Sequence, residues 1–110
     1  MQAINRVNDE FSTCGQISVA ELPEIAASGF RSVICNRPDN ESPDQPSYVD
    51  IETAARHHGL QFAYLPVVLD SIGPADVSAF ANLIKTLPAP VLGFCRSGKR
   101  ADTLYAASRR

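Results

Sequence analysis

The sequence predicts an α/β fold: a mostly parallel sheet of four to five strands flanked by helices. Three observations carry this. Short β-branched or apolar runs alternate with stretches of helical apolar period. Glycine and proline fall between these segments as punctuation. The segments follow one another as strand, helix, strand, helix, an order that favours parallel pairing through helical crossovers. At 110 residues, 45% of them hydrophobic and 20% charged, the chain has the size and composition of one domain, 1–110, with its own core.

Each element has a local reason. Glu10 to Thr13 reads as a short first strand. Ser18-Val19-Ala20-Glu21 has capping-box spacing, so a helix follows with Leu22, Ile25 and Ala26 on its apolar stripe and Gly29 as its stop. Arg31 to Cys35 is a β-branched run, read as a buried strand. Asn36 to Pro46 carries three prolines with Asp and Asn and is a loop. Ser47 caps a second helix, with Asp50 in its first turn, Ile51, Ala54 and Ala55 inward, and Gly59 at its end. Gln61 to Leu65 is the next strand, closed by Pro66. Pro74 suits the first position of a third helix whose face is Val77, Phe80, Ala81, Ile84 and Leu87. Pro88-Ala89-Pro90 breaks it, Val91 to Phe94 is a last apolar strand, and a final helix begins at about Ala101.

Charge and cysteine content narrow the function. Ten Lys and Arg against twelve Asp and Glu give a net charge of −2, which offers no general field for a phosphate backbone. No apolar run approaches the roughly 20 residues that span a bilayer. Met1 to Glu10 is polar, without an apolar leader segment, so the expectation is a cytoplasmic protein that binds neither nucleic acid nor membrane. The three cysteines, Cys14, Cys35 and Cys95, are odd in number and far apart, which argues for free thiols over a disulfide scaffold. His57 and His58 stand at a helix end without zinc-site spacing, and no motif implies a metal or cofactor.

The stretch Phe94-Cys95-Arg96-Ser97-Gly98-Lys99-Arg100 carries the chemistry. A thiol directly after a buried strand, at the mouth of a helix, meets unpaired N–H groups and the positive end of the helix dipole. Gly98 allows the backbone to curl around an anion. Arg96, Lys99 and Arg100 add three cations. Together these favour a thiolate nucleophile inside an oxyanion site.

This loop resembles the catalytic loops of cysteine-dependent phosphatases and of rhodanese sulfurtransferases. The phosphatase pattern puts five residues between Cys and Arg, usually with His before the Cys. Here four separate Cys95 from Arg100, and Phe94 precedes the thiol, as in the Cys-x-x-Gly-x-Arg form common in rhodaneses. Gly15-Gln16, the segment Gly29 to Ile34, Asn36-Arg37-Pro38-Asp39, Leu65-Pro66-Val67 and the Cys95 loop together are similar to the beta-lactamase hydrolase-like, phosphatase-like domain family. That resemblance covers about Val7 to Tyr105 and implies the fold of dual-specificity phosphatases. Family members occur alone or fused to persulfide dioxygenase-like or sulfide-oxidising modules, which implies docking to such an enzyme and a role in sulfur metabolism.

The leading expectation is therefore a rhodanese-type sulfurtransferase. Cys95 would take sulfane sulfur from thiosulfate or a persulfide and pass it to cyanide or a thiol such as glutathione. Arg100 and the loop amides of Arg96, Ser97, Gly98 and Lys99 would hold the anionic donor. The alternative is a phosphatase with a Cys95 phosphoenzyme and Asp70 as general acid, Asp76 being more simply a first-turn helix charge. A third reading is a non-catalytic module that senses anions or persulfides, or docks on a partner enzyme. Asn36-Arg37-Pro38-Asp39 follows another strand end and either borders the same crevice or is a rigid loop closed by an Arg37–Asp39 ion pair; Cys35 is expected to be core packing, and Cys14 a resolving thiol only if it lies near Cys95.

Overall fold

The structure, a computed structural model, describes residues 2–110. Five strands form one sheet: β1 (Asn5–Arg6), β2 (Phe11–Cys14), β3 (Ser32–Cys35), β4 (Gln61–Tyr64) and β5 (Val91–Phe94). Their spatial order is β1-β2-β5-β3-β4, and every pairing is parallel except that of β1 with β2. Four α-helices accompany them: α1 (Leu22–Ala27), α2 (Tyr48–His57), α3 (Pro74–Thr86) and α4 (Lys99–Ser108). The sheet is thus mostly parallel, as its alternating segments require. The edge strand β1 is two residues long and exposed, too short to register as a periodic pattern.

Period-two alternation divides the core between the two faces of the sheet. Val33 and Cys35 of β3, with Leu92 and Phe94 of β5, pack with Leu22, Ile25, Ile51 and Ala55 beneath α1 and α2. Ile34 and Val91 face the other way, onto Phe80, Leu104 and Tyr105 of α3 and α4. Gly93 is the position on that second face where a side chain would not fit. A Cβ there would lie 2.9 Å from the Phe11 ring and 3.3 Å from the Cβ of Ala101. The missing side chain lets α4 settle close to the strand that precedes it. Phe11 fills the space, stacked on Tyr105 at 4.2 Å.

Three local readings change. The last helix begins at Lys99, two residues before Ala101, because Gly98 takes up a left-handed conformation (φ 94°) and starts the helix at once. Ser18 precedes a short 3-10 turn (Val19–Glu21) ahead of α1, and the Glu21 carboxylate accepts from both its N–H and its hydroxyl. The expected Arg37–Asp39 pair does not form. Arg37 pairs with Glu41 at 3.0 Å, while the Asp39 carboxylate accepts from the N–H of Tyr48 and so caps α2. Ser47 caps the same helix as expected, accepting from Asp50 N–H. Among the described residues no helix is long and apolar enough to cross a membrane.

Candidate active site

Strand β5 lies between β2 and β3, so the loop that follows it emerges at the middle of the sheet's carboxyl edge. Open parallel sheets bind their ligands at such an edge. Cys95 is the first residue beyond the strand and is fully buried. The loop turns back over it, and the Gly98 N–H donates to Cys95 Sγ at 3.1 Å. The sulfur therefore sits where a backbone dipole stabilises negative charge.

The segment after β2 fixes this loop from behind. Gln16 N–H donates to the carbonyl of Arg96 at 3.2 Å. A Cβ on Gly15 would come within 2.9 Å of that same carbonyl oxygen, and one on Gly98 within 3.3 Å of the Cys14 carbonyl. Two glycines thus let two loops touch backbone to backbone, which explains why both occur where they do. Deeper in α4, Asp102 accepts from the Thr13 hydroxyl at 2.7 Å and ties the helix to β2.

Arg100, on the first turn of α4, is largely buried. Its Nη1 and Nη2 donate to Oε2 and Oε1 of Glu41, both at 2.8 Å. Nη1 also donates to the Val67 carbonyl at 3.1 Å. Glu41 first, and Cys95 after it, hold the guanidinium more firmly charged than usual. In turn, hydrogen bonding from Arg100, with a further bond from Arg37, holds the Glu41 carboxyl below the ordinary carboxylate range. Arg37 is 5% exposed. It donates from Nε to Glu41 Oε1 at 3.0 Å and from Nη1 to Gln16 Oε1 at 3.1 Å. A hydrogen-bonded ring results, running from the Cys95 loop through Gln16, Arg37 and Glu41 to Arg100.

Two crevices flank this ring. One, of about 480 Å³, is lined by Arg37, Glu41, Ser42, Pro43, Arg96 and Arg100. The other, of about 270 Å³, is lined by Glu41, Val68, Leu69, Asp70, Arg96, Ser97, Lys99 and Arg100. Asp70, in a 3-10 turn after β4, therefore borders the Cys95 loop although it precedes Cys95 by 25 positions. The Arg96 side chain is exposed on the rim between the crevices. Ser97 accepts from Lys99 N–H at 3.4 Å, which supports the turn. Asp76 stays outside both crevices and accepts from Gly73 N–H at the start of α3.

The other two thiols lie at strand ends. Burial, followed by the charge of Glu21, pushes the Cys14 thiol up to about 12. Burial likewise pushes Cys35 up to about 12, and its sulfur donates to the Arg37 carbonyl at 3.4 Å. Cys35 is packing, as its sequence position implies. His57 and His58 lie at the end of α2, edge-to-face with each other and away from the Cys95 loop. Glu41 is absent from the sequence expectations, and Gln16 enters them only within the Gly15-Gln16 pair of the family resemblance, with no role at the site. The spacing of Arg37 and Glu41 in a proline-stiffened loop is the one local signal for Glu41, and nothing local indicates that it meets Arg100.

A carboxyl-edge loop of this kind, on the central strand of a mostly parallel sheet, belongs to the architecture of cysteine-phosphatase-like domains. The sequence family agrees: residues 3–110 match the phosphatase-like domain of the beta-lactamase hydrolase-like protein, and the chain belongs to that family. It is 41% identical over 102 residues to a beta-lactamase hydrolase-like protein of Xylella fastidiosa (strain Temecula1), covering 93% of this chain. It is 37% identical over 105 residues to the protein of that description from Agrobacterium fabrum (strain C58), covering 96% of this chain. In both cases it spans 24% of the relative's length. Among solved structures, it is similar to a candidate phosphatase from Neisseria meningitidis Z2491, with a TM-score of 0.89 and 33% identity. That match covers 96% of this chain and 75% of the other.

Proposed function

We propose that this domain is a cysteine-dependent phosphomonoesterase. One observation carries the reading: Cys95 Sγ, which accepts a loop amide, and Arg100, which carries a fixed positive charge, stand on the same short loop-to-helix turn. A nucleophile and an anion-holding cation at that separation suit a tetrahedral oxyanion better than a neutral substrate. The phosphatase-like family and the similarity to the Neisseria structure support the same choice. They favour it over the sulfurtransferase expectation.

In the proposed reaction the Cys95 thiolate attacks phosphorus, forming an S–P bond as the ester P–O bond breaks. Asp70 gives its proton to the departing oxygen. Water then attacks the phosphocysteine, Asp70 takes up a proton from that water, and the S–P bond breaks to regenerate the thiolate and release phosphate. Arg100 and the amides of the Cys95 loop balance the charge on the equatorial oxygens. Arg96 and Lys99 line the crevice beside Asp70 and meet the leaving group.

Sulfur transfer is the second reading, and the four-residue spacing between Cys95 and Arg100 favours it. Side-by-side assays with an aryl phosphate and with thiosulfate plus cyanide separate the two. Aryl phosphate turnover that disappears in Cys95→Ser supports the phosphatase. Thiocyanate formation, with a sulfur-sized mass addition on Cys95 and no phosphate release, rejects it.

A further inference from the structure

A guanidinium carries five N–H donors arranged as two two-pronged edges that share Nη2. In Arg100 the end-on edge, Nη1 and Nη2, is taken by the two oxygens of Glu41 at 2.8 Å each. The remaining Nη1 donor goes to Val67 O at 3.1 Å. This leaves the side-on edge, Nε and the second Nη2 donor. Cys95 is among the groups that interact electrostatically with Arg100. Glu41 is itself braced, because Oε1 also accepts from Arg37 Nε at 3.0 Å. Arg37 is anchored to Gln16, whose N–H holds the Arg96 carbonyl of the reactive loop.

We propose that Glu41 is a positioning residue for this site: by filling one edge of Arg100, backed by Arg37, it turns the other edge toward an oxyanion held above Cys95. The proposal rests on the phosphatase reading of Cys95 and Arg100. It assigns a task to a loop residue 59 positions away from Arg100 in sequence. It also opposes a second mechanical reading of the same contact, in which the Glu41 carboxylate stands in for the substrate anion and blocks the site. The two differ in sign. A positioning carboxylate strengthens anion binding, whereas a blocking one weakens it.

The experiment measures tungstate affinity by calorimetry, and kcat and KM for an aryl phosphate, in wild type, Glu41→Gln and Glu41→Asp. Positioning predicts that Glu41→Gln loses about tenfold or more in tungstate affinity, the scale of one charge-assisted hydrogen bond. KM rises in parallel. Glu41→Asp keeps the charge but reaches one methylene less far, so it falls between the other two. Thermal melts run alongside, and a tungstate loss at an unchanged melting temperature identifies positioning rather than general destabilisation. Tighter tungstate binding or a lower KM in Glu41→Gln shows a blocking carboxylate and overturns the proposal. Unchanged affinity with wild-type kinetics overturns it too, while leaving the phosphatase reading intact. Wild type that neither binds tungstate nor hydrolyses the ester removes the phosphatase reading and this proposal with it.

Discussion

Three neighbouring strands bring cysteines to the same edge of the sheet, and Cys95 differs from the other two in standing inside a loop whose Gly98 N–H donates to its sulfur. Cys14 of β2 and Cys35 of β3 both lie in register with Phe94, whereas Cys95 stands one position further on, beyond the ladder. That single step exchanges a packed strand end for a helix-forming turn. Cys35 donates its thiol proton to a carbonyl, while Cys95 accepts an amide proton. On the proposed reading, what separates Cys95 from Cys35 is less the kind of residue than which way the nearest backbone group points.

The most severe way to break the comparison is to exchange the thiols one at a time. Cys95→Ser is expected to lower aryl phosphate turnover by a factor on the order of 10⁴ or more, since a hydroxyl is a far poorer nucleophile here. Cys14→Ala and Cys35→Ala should keep kcat within a few-fold and lower stability within the common range of about 0.5–3 kcal/mol, read by urea titration. Equal loss in all three would show that the strand-end thiols act together.

Arg100→Lys comes next. Lysine keeps the charge but has no two-pronged edge to divide between Glu41 and a substrate. The expected fall in kcat/KM is about 10²- to 10³-fold, comparable to loss of an oxyanion donor. Recovery of activity in the lysine variant would show that charge alone suffices. Asp70→Asn follows, with a drop in kcat/KM, which reports the phosphorylation step, of about 10²-fold for an alkyl phosphate and little for an ester with a good leaving group, which needs no proton. An equal drop in kcat/KM for both esters would exclude Asp70 as the acid.

Fold and site were not equally legible in the sequence. Strands β3 and β5, with the helices between them, announce themselves through β-branched runs and periodic stripes. Cys95, Gly98 and Arg100 are legible because their spacing lies within a single turn. Glu41 is not, because its partner Arg100 is brought to it only by the completed sheet, through the burial of Arg37 and a loop that crosses the strand ends. The Arg37–Asp39 expectation fails for a related reason. Tyr48 N–H competes for the Asp39 carboxylate at the start of α2, and Glu41 reaches Arg37 instead.

The smallest expected effect concerns pH and the two strand-end thiols. Cys14 and Cys35 are raised from an ordinary 9.0 to about 12 in the folded protein. Between these values the unfolded chain has released thiol protons that the folded chain retains, so stability falls as pH rises. The stability these two groups support is complete below pH 9 and declines from there toward about 12. Denaturation midpoints at pH 8 and pH 10.5 should therefore differ more in wild type than in the Cys14→Ala, Cys35→Ala double variant. An identical difference in both proteins would show that other groups govern the alkaline limb.

The place of β5 in the sheet has a consequence for how the site is assembled. It is the last strand of the chain, yet it is inserted between β2 and β3, which do not pair with each other. Without β5 the sheet would be two separate strand pairs, β1-β2 and β3-β4, each with an open edge where β5 belongs. Cys95 arrives with the strand that joins these pieces. The loops around it meet only when that strand docks, so the candidate site is a product of the finished sheet and not of any one of its halves.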